Sequence, residues 1–185
     1  MAENHGRTEE ETLEGDEGEP EIGRHADVGR QILSTPLSAI KQGAAPISVG
    51  PDATVARAVE IMRKKRVSAV MVVDKKAPRK LIGVFTERDF LENALTTRGF
   101  AKVAVRKVMH RGPETLRPRD PVAYALNKMA VGRFRHVPLV DDRGVPVGMV
   151  SVRDVIDFIV ELCPEEILNL PSDPALAVPR AVDGG

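Results

Sequence analysis

The sequence repeats itself, and this repeat limits the possible folds more than any other feature. Residues 46–74 align without a gap on residues 113–141, at a shift of 67 positions, and ten of the 29 aligned pairs are identical. Unrelated segments of ordinary composition would share about two. The chain is therefore built largely from one structural unit used twice. The identical positions, numbered in the first copy, are Pro46, Pro51, Val55, Ala56, Ala58, Met62, Arg66, Val70, Val73 and Asp74.

A second matched pair of segments follows at a shift of 65. Residues 83–89 read GVFTERD, and residues 148–154 read GMVSVRD. The shift is smaller because the preceding loop is two residues longer in the first copy. Each segment has a hydroxyl residue followed three positions later by Asp. These pairs are Thr86 with Asp89 and Ser151 with Asp154.

Hydrophobic periodicity predicts the element order β-α-β-β-α in both copies. A short strand (47–49 or 114–116) precedes a helix that starts at Asp52 or at Asp120–Pro121, because Asp and Pro favour helix starts. Two apolar strands follow, and the last helix starts at the hydroxyl residue. The predicted class is α/β (α+β), with two tandem repeats packed by pseudo-twofold symmetry, since one copy of roughly 60 residues would be marginally stable alone.

Charge and apolar content change along the chain and define its parts. Residues 1–24 hold nine acidic residues against two arginines and almost nothing to bury, which predicts disorder. Pro36 interrupts the apolar spacing of residues 27–42, so two short helical pieces are expected there. The predicted parts are an acidic disordered tail at 1–26, the first repeat with its lead-in helix at 27–99, the second repeat at 100–163, and a Pro-rich tail at 164–185.

Several classes of protein are disfavoured by what the sequence lacks. One cysteine, Cys163, excludes an internal disulfide framework and fits a reducing compartment. The start of the sequence lacks the pattern of a signal peptide, and no run approaches the ~18 apolar residues that span a bilayer. We therefore expect a cytoplasmic protein without a membrane segment. The histidines and Cys163 lack metal-site spacing, and catalytic motifs are absent, so we expect no enzyme and no metal.

Nucleic acid is a rival ligand because the body of the chain is basic. Outside residues 1–24 the chain carries 25 basic and 18 acidic residues, with clusters such as Arg63–Arg66. However, no DNA-binding motif is present, and aromatic residues for base stacking are scarce. A positive field around phosphate-binding clefts would explain the same charge. We therefore expect nucleic acid to be the lesser partner.

The repeated unit resembles the cystathionine-β-synthase (CBS) domain. The resemblance is carried by the element order, the two Asp-ending motifs and the strands VSAVMVVD (67–74) and RHVPLVD (135–141), and it spans residues 28–162. It implies a tandem CBS pair, or Bateman module, that forms a homodimer. It also implies adenosine-containing ligands in clefts between the repeats, namely AMP, ADP or ATP, with S-adenosylmethionine or NAD as further options. The regulated protein target stays unknown.

The hydroxyl–Asp step has two interpretations that are compatible. It is a capping box, in which the hydroxyl and the carboxylate satisfy helix-terminal amides. A helix N-terminus also attracts phosphate, and an acceptor-only carboxylate suits ribose hydroxyls. Because the step occurs twice at matched points, we favour nucleotide binding together with capping. A structural interaction module with non-functional clefts remains the alternative.

The resemblance implies a set of binding residues for each cleft, drawn from both repeats. It places Arg135 and His136 near the phosphates of the first cleft, whereas Ser68 and Ala69 occupy the equivalent positions of the second and the acidic Glu114 lies near its adenine edge. We therefore expect the first cleft to bind charged phosphates better. The first set is Pro46, Ile47, Val67, Ser68, Arg135, His136, Ser151 and Asp154. The second set is Pro113, Glu114, Thr115, Phe134, Arg135, Thr86, Arg88 and Asp89.

Overall fold

The computed structural model describes residues 21–40, 46–74 and 79–173, and it contains two similar α+β units. The first unit is formed by β1 (Ser48–Val49), α2 (Val55–Lys65), β2 (Ala69–Val73), β3 (Leu81–Thr86) and α3 (Glu87–Ala94). The second is formed by α4 (Val122–Gly132), β5 (His136–Val140), β6 (Pro146–Ser151) and α5 (Val152–Leu162). The remaining elements are α1 (Glu21–Ser34), two 3₁₀ turns (Phe100–Lys102 and Val105–Lys107), β4 (His110–Arg111) and α6 (Pro164–Leu168).

The strands of each repeat pair with one another to form a sheet. In the first unit β1 runs parallel to β2, which pairs antiparallel with β3, and β4 extends the sheet beside β3. In the second unit β5 pairs antiparallel with β6, and the strand predicted at 114–116 is reduced to one parallel bridge between Leu116 and Leu139. The register shifts at Val72–Val73 and at Leu139–Val140, which are equivalent positions. The repeat in sequence is therefore a repeat in structure.

Each unit has its own apolar core, and equivalent positions of the two repeats are buried in it. Val55, Ala58 and Met62 are the buried residues of α2, and Val122, Ala125 and Met129 are their counterparts in α4. Helical spacing of three and four residues aligns each set on one face. The strands β2 and β5 lie against these faces with Val70, Val72, Val137 and Leu139 fully buried.

The segment that precedes each repeat packs against the other repeat. Leu37 and Ile40 belong to the second core, and the Leu37 amide donates to the Asp120 carbonyl at 2.9 Å. Phe100, Val105 and Met109 belong to the first core, and the Val105 amide donates to the Ala53 carbonyl at 2.8 Å. The packing therefore runs across the predicted boundary at residue 99, and the two units are held together by exchanged segments.

The start of the chain corrects two expectations. Helix α1 begins at Glu21, inside the segment 1–26 that was predicted to be disordered, because its helical hydrogen bonding continues N-terminally from the part that packs on α4. Residues 1–20 lie outside the described residues. The second helical piece expected after Pro36 is replaced by a turn over 37–39, since the amides of Leu37 and Ser38 donate to carbonyls of the second repeat.

Two predicted helix starts are also wrong by a few residues. Helix α2 starts at Val55 with Thr54 as its cap, while Asp52 forms an ion pair with Arg106. Helix α4 starts at Val122, because the Asp120 carboxylate accepts the amide of Arg117 at 2.7 Å within the preceding turn.

Candidate functional site

The two Asp-ending motifs form complete capping boxes at the N-termini of α3 and α5. The Thr86 amide and hydroxyl both donate to Asp89 Oδ2, at 2.7 and 2.8 Å, and the Asp89 amide donates back to Thr86 Oγ1. Ser151 and Asp154 repeat this geometry, with both donors at 2.6 Å. The capping interpretation is thus confirmed in both copies. Within the described residues, the Oδ1 oxygen of each Asp accepts no hydrogen bond, so it is free for a ligand.

The first cleft is a cavity of about 680 Å³ between the residues just before β1 and the start of β2 on one side and β6 with α5 on the other. All eight residues predicted for this cleft line it. Its size lies within the usual range for small-molecule sites, about 300–1,000 Å³. It opens on the N-terminus of α5, where Ser151 and Asp154 lie. The lining residues that the sequence did not predict are Arg66, Ala69, Met149, Val152, Arg153, Ile156 and Asp157.

The second cleft has a volume of about 460 Å³ and lies at the N-terminus of α3. Seven of the eight predicted residues line it, and Thr115 does not. Neighbours along an extended segment face opposite sides, so Glu114 can face the cavity while Thr115 faces away. The lining residues that were not predicted are Ser68, Val84, Glu87, Glu92, His110, Gly112, Gly132, Arg133 and His136.

The two linings are related by the sequence repeat, and this relation would have identified some of the missed residues. Arg88 was predicted for the second cleft, and its counterpart Arg153 lines the first. Arg66 and Arg133 are equivalent in the same way, as are Asp157 and Glu92. Applying the repeat to each predicted residue therefore gives Arg153, whereas the pairs Arg66 with Arg133 and Asp157 with Glu92 are equivalent but were predicted in neither cleft.

A shared wall of three residues separates the clefts: Ser68, Arg135 and His136 line both cavities. Ser68 Oγ and His136 Nε2 are 2.9 Å apart, which joins the start of β2 to the start of β5 across the two repeats. Partial burial lowers the pKa of His136, the positive charge of Arg135 lowers it further, and Asp154 opposes both. The neutral imidazole is therefore favoured beside Ser68.

Because both clefts share this wall, Arg135 and His136 do not account for the difference between them. The prediction placed Arg135 in both sets and His136 in the first alone, but His136 also lines the second cleft. The difference lies in the acidic residues. The first cleft has three arginines and two carboxylates, whereas the second has three arginines and four carboxylates. The carboxylates of the second cleft are those of Glu87, Asp89, Glu92 and Glu114.

Arg88 and Arg153, which lie in the first turns of α3 and α5, each make one weak polar contact. Arg88 Nη1 donates to the Arg133 carbonyl at 3.3 Å, so the first repeat contacts the second at the rim of the second cleft. Arg153 Nε lies 3.8 Å from the Asp157 carboxylate, one turn further along α5. Glu114 forms an ion pair with Lys128. Arg153, which lies in the first turn of α5, is thus only loosely paired.

Neither metal ligands nor a membrane segment is found in the part of the chain that the structure describes. No group of three His, Cys, Asp or Glu side chains there is arranged to hold a metal ion. Among the same residues, every helix is too short or too polar to cross a bilayer.

These features define a class: a tandem-repeat α+β protein with two related cavities, each at a capped helix N-terminus and each lined by both repeats. The model of the CBS domain family matches residues 40–95 and 105–161. The chain therefore belongs to the CBS domain family, and it carries two such domains in tandem.

Two curated proteins illustrate the relationship. The chain is 34% identical over 122 residues to the CBS domain-containing protein CBSX3, mitochondrial, of Arabidopsis thaliana, a match covering 64% of this chain and 59% of that protein. It is 35% identical over 132 residues to the meiotically up-regulated gene 70 protein of Schizosaccharomyces pombe, covering 70% of this chain and 17% of that protein. The chain thus spans less than two thirds of each of these relatives.

Two solved structures have the same fold and hold adenosine compounds. A CBS domain protein from Pyrobaculum aerophilum, complexed with AMP, is 26% identical with a TM-score of 0.62, and the match covers 70% of this chain and 98% of that one. The CBS domain pair of the protein MJ0100, in complex with 5′-methylthioadenosine and S-adenosyl-L-methionine, is 25% identical with a TM-score of 0.59. That match covers 67% of this chain and 98% of the other.

Proposed function

We propose that the chain is a regulatory protein that binds an adenosine nucleotide in the clefts between its repeats and is not an enzyme. The observation that carries this proposal is the pairing of each cavity with a capped helix N-terminus. There a free Asp oxygen can accept from ribose hydroxyls, and arginines can pair with phosphate. The ligands of the two solved neighbours, AMP and S-adenosyl-L-methionine with 5′-methylthioadenosine, support the adenosine chemistry.

A ligand in either cleft contacts both repeats, and this gives it a means of regulation. Arg66 and Ser68 reach the first cavity from one repeat, and Ser151 and Asp154 reach it from the other. A ligand that binds one relative placement of the repeats more tightly shifts the population toward it, by no more than its difference in affinity. A partner protein would read that shift.

We further propose a homodimer. Leu91 on α3 and Ile156 on α5 occupy equivalent positions and are 70% and 51% exposed, and Leu95 is 96% exposed. Apolar residues exposed on matched helices are suited to burial against a second copy. Light scattering, which gives the mass in solution, tests this. The single cysteine supports a reducing compartment, and the cytoplasm is our proposed location.

A thermal-shift panel of AMP, ADP, ATP, S-adenosylmethionine and NADH tests the binding proposal. A ligand that binds only the folded chain raises Tm by linkage. No shift with any of them at millimolar concentration would leave a structural interaction module as the better interpretation. Steeply salt-dependent retention on a polyanion column, without a nucleotide response, would favour nucleic acid.

Substitution of the motif carboxylates tests which cleft is the principal site. Asp154→Asn keeps an oxygen for the cap but weakens acceptance from ribose, so we expect roughly a tenfold loss of affinity at the tightest site. Asp89→Asn should change the ligand affinity of that same site by less than about threefold. Calorimetric titration gives both values. Asp142→Asn, an exposed residue outside both cavities, is the control. Equal losses for the two motif variants would contradict the ranking of the clefts.

A further inference from the structure

The first repeat carries positive charge at the end of α2 that its fold does not require. Residues 63–65, in the last turn of α2, read Arg-Lys-Lys, and all three side chains are exposed. Basic residues in a last turn stabilise the helix dipole. However, the equivalent residues 130–132 of α4 are Ala, Val and Gly, and α4 forms without a basic last turn. The charge on α2 therefore invites an explanation other than helix stability.

The segment that leads into the second repeat adds positive charge at the other end of α2. Residues 93–113 contain five arginines and lysines and no acidic residue. The Val105 amide donates to the Ala53 carbonyl at 2.8 Å, and the Arg106 guanidinium forms an ion pair with Asp52, just before α2 begins. Arg111 Nη2 donates to the Arg106 carbonyl at 2.9 Å, which brings these cations together. By contrast, residues 26–46, which lead into the first repeat, hold two basic residues and one acidic residue.

These two groups of cations form one surface of the first repeat, which we call the basic face. They lie at opposite ends of α2, whose 11 residues span about 16 Å. Asp52 and Glu60 are the acidic residues of 50–66, and each is paired with an arginine. The surface therefore has a clear excess of positive charge and should attract a polyanion. The basic face consists of Arg63, Lys64, Lys65, Lys102, Arg106, Lys107 and Arg111, all of them exposed.

The chain itself contains a polyanion that complements the basic face. Residues 1–20 hold eight carboxylates and one arginine, and they join the described part of the chain at Glu21, where α1 begins. Twenty residues can span at most about 70 Å, whereas a domain of this size is roughly 40 Å across. The segment can therefore reach the basic face from α1. Attachment within one chain gives it an effective concentration of order millimolar, which a separate acidic partner would have to exceed.

We propose that residues 1–20 bind the basic face of the first repeat within the same chain. The carboxylates of the segment pair with the exposed lysines and arginines of the face. A single exposed ion pair contributes little, so the contact depends on several pairs together and weakens as salt is added. The bound segment covers the basic face and lowers its attraction for other polyanions. This contact goes beyond the proposed function and does not depend on nucleotide binding.

Zero-length carbodiimide coupling of the full chain tests this contact, because it joins a carboxylate to a lysine only where the two are in contact. Mass spectrometry then locates the links. We expect residues 1–20 to link to Lys64, Lys65, Lys102 and Lys107 at least about threefold more often than to the other five lysines of the chain. The links should decline when salt is raised from about 50 to about 500 mM. The ion pair of Glu114 with Lys128 is the internal positive control for coupling.

Two charge reversals provide matched variants. Arg63→Glu weakens the basic face without removing any of its lysines, and it should lower the yield of these links about threefold. Arg143→Glu makes the same change of net charge in an exposed turn of the second repeat and should leave the yield unchanged. An equal loss in both variants would contradict a contact with this face.

Three further outcomes would overturn the proposal. In the first, Glu114 links to Lys128 but residues 1–20 link to no lysine. In the second, residues 1–20 link to all exposed lysines alike, so that the segment has no preferred surface. In the third, a mixture of isotopically labelled and unlabelled chains gives links between chains in place of links within one chain. The basic face would then bind a second copy.

Discussion

His136 is the side chain whose environment gives the clearest solution signature. It lies half-buried at the start of β5, beside Ser68 at 2.9 Å, and it is near Arg135 and Asp154. Burial and the charge of Arg135 lower its pKa below the ordinary value of 6.5, and Asp154 opposes this only in part. His136 therefore binds a proton less readily in the folded chain than in the unfolded chain.

The lowered pKa of His136 predicts a loss of stability in acid. Below about pH 6.5 the unfolded chain binds a proton that the folded chain does not, so the free energy of unfolding falls as the pH falls through this value. We expect the Tm of the wild-type chain to decline more between pH 7.5 and 5.5 than that of His136→Gln, which keeps an acceptor for Ser68. Parallel Tm profiles of the two chains would contradict the interpretation.

Strand β3 shows how the sequence motif serves the fold as well as the site. Gly83 pairs with Val72 on one side and with Arg111 of β4 on the other. A Cβ atom at this position would meet the Met109 sulfur and would lie 2.8 Å from the His110 carbonyl oxygen. The glycine of the GVFTERD motif is therefore required by the close approach of β4.

Two glycine-to-alanine substitutions should have opposite effects on these elements. Gly83→Ala forces β4 away from β3, and we expect it to lower the free energy of unfolding by about 1–3 kcal/mol. Gly29→Ala lies in α1 with open space around its Cβ, and it should raise that free energy by about 0.5–1 kcal/mol through helix propensity. Urea unfolding measures both. If Gly83→Ala left the free energy of unfolding unchanged, β4 would be able to move away from β3 without loss of stability.

The secondary-structure elements that could be predicted are those that leave a side-chain pattern in the sequence. The strands, the helix faces and both capping boxes depend on apolar spacing and on hydroxyl–Asp pairs, which the sequence displays. The exchanged segments around Leu37 and Val105 were not predicted, because their matching backbone hydrogen bonds leave no side-chain pattern and the two segments share no identities. For the same reason Thr115 was misplaced, since the strand at 114–116 is reduced to a bridge at Leu116.

For the whole molecule, the shared wall makes the two clefts interdependent. Arg135 lines both cavities, and one guanidinium cannot be fully engaged with a phosphate on each side. A phosphate in the first cleft would orient Arg135 toward it and leave the second cleft with its four carboxylates less compensated. Binding of phosphorylated ligands to the two clefts should therefore be anticooperative, and the coupling is reciprocal.

Weakening the first cleft should consequently strengthen the second. The comparison is between Asp154→Asn, at AMP concentrations that leave its first cleft empty, and the wild-type chain with its first cleft filled. We expect the second cleft of the variant to bind AMP about tenfold more tightly than the second cleft of the wild-type chain. Adenosine carries no phosphate, so the same comparison with adenosine should show no change. Arg135→Ala should abolish the coupling and lower affinity in both clefts. Calorimetric titration resolves the stepwise binding constants. If the second cleft binds AMP with the same constant in the wild-type chain and in Asp154→Asn, the two clefts act independently.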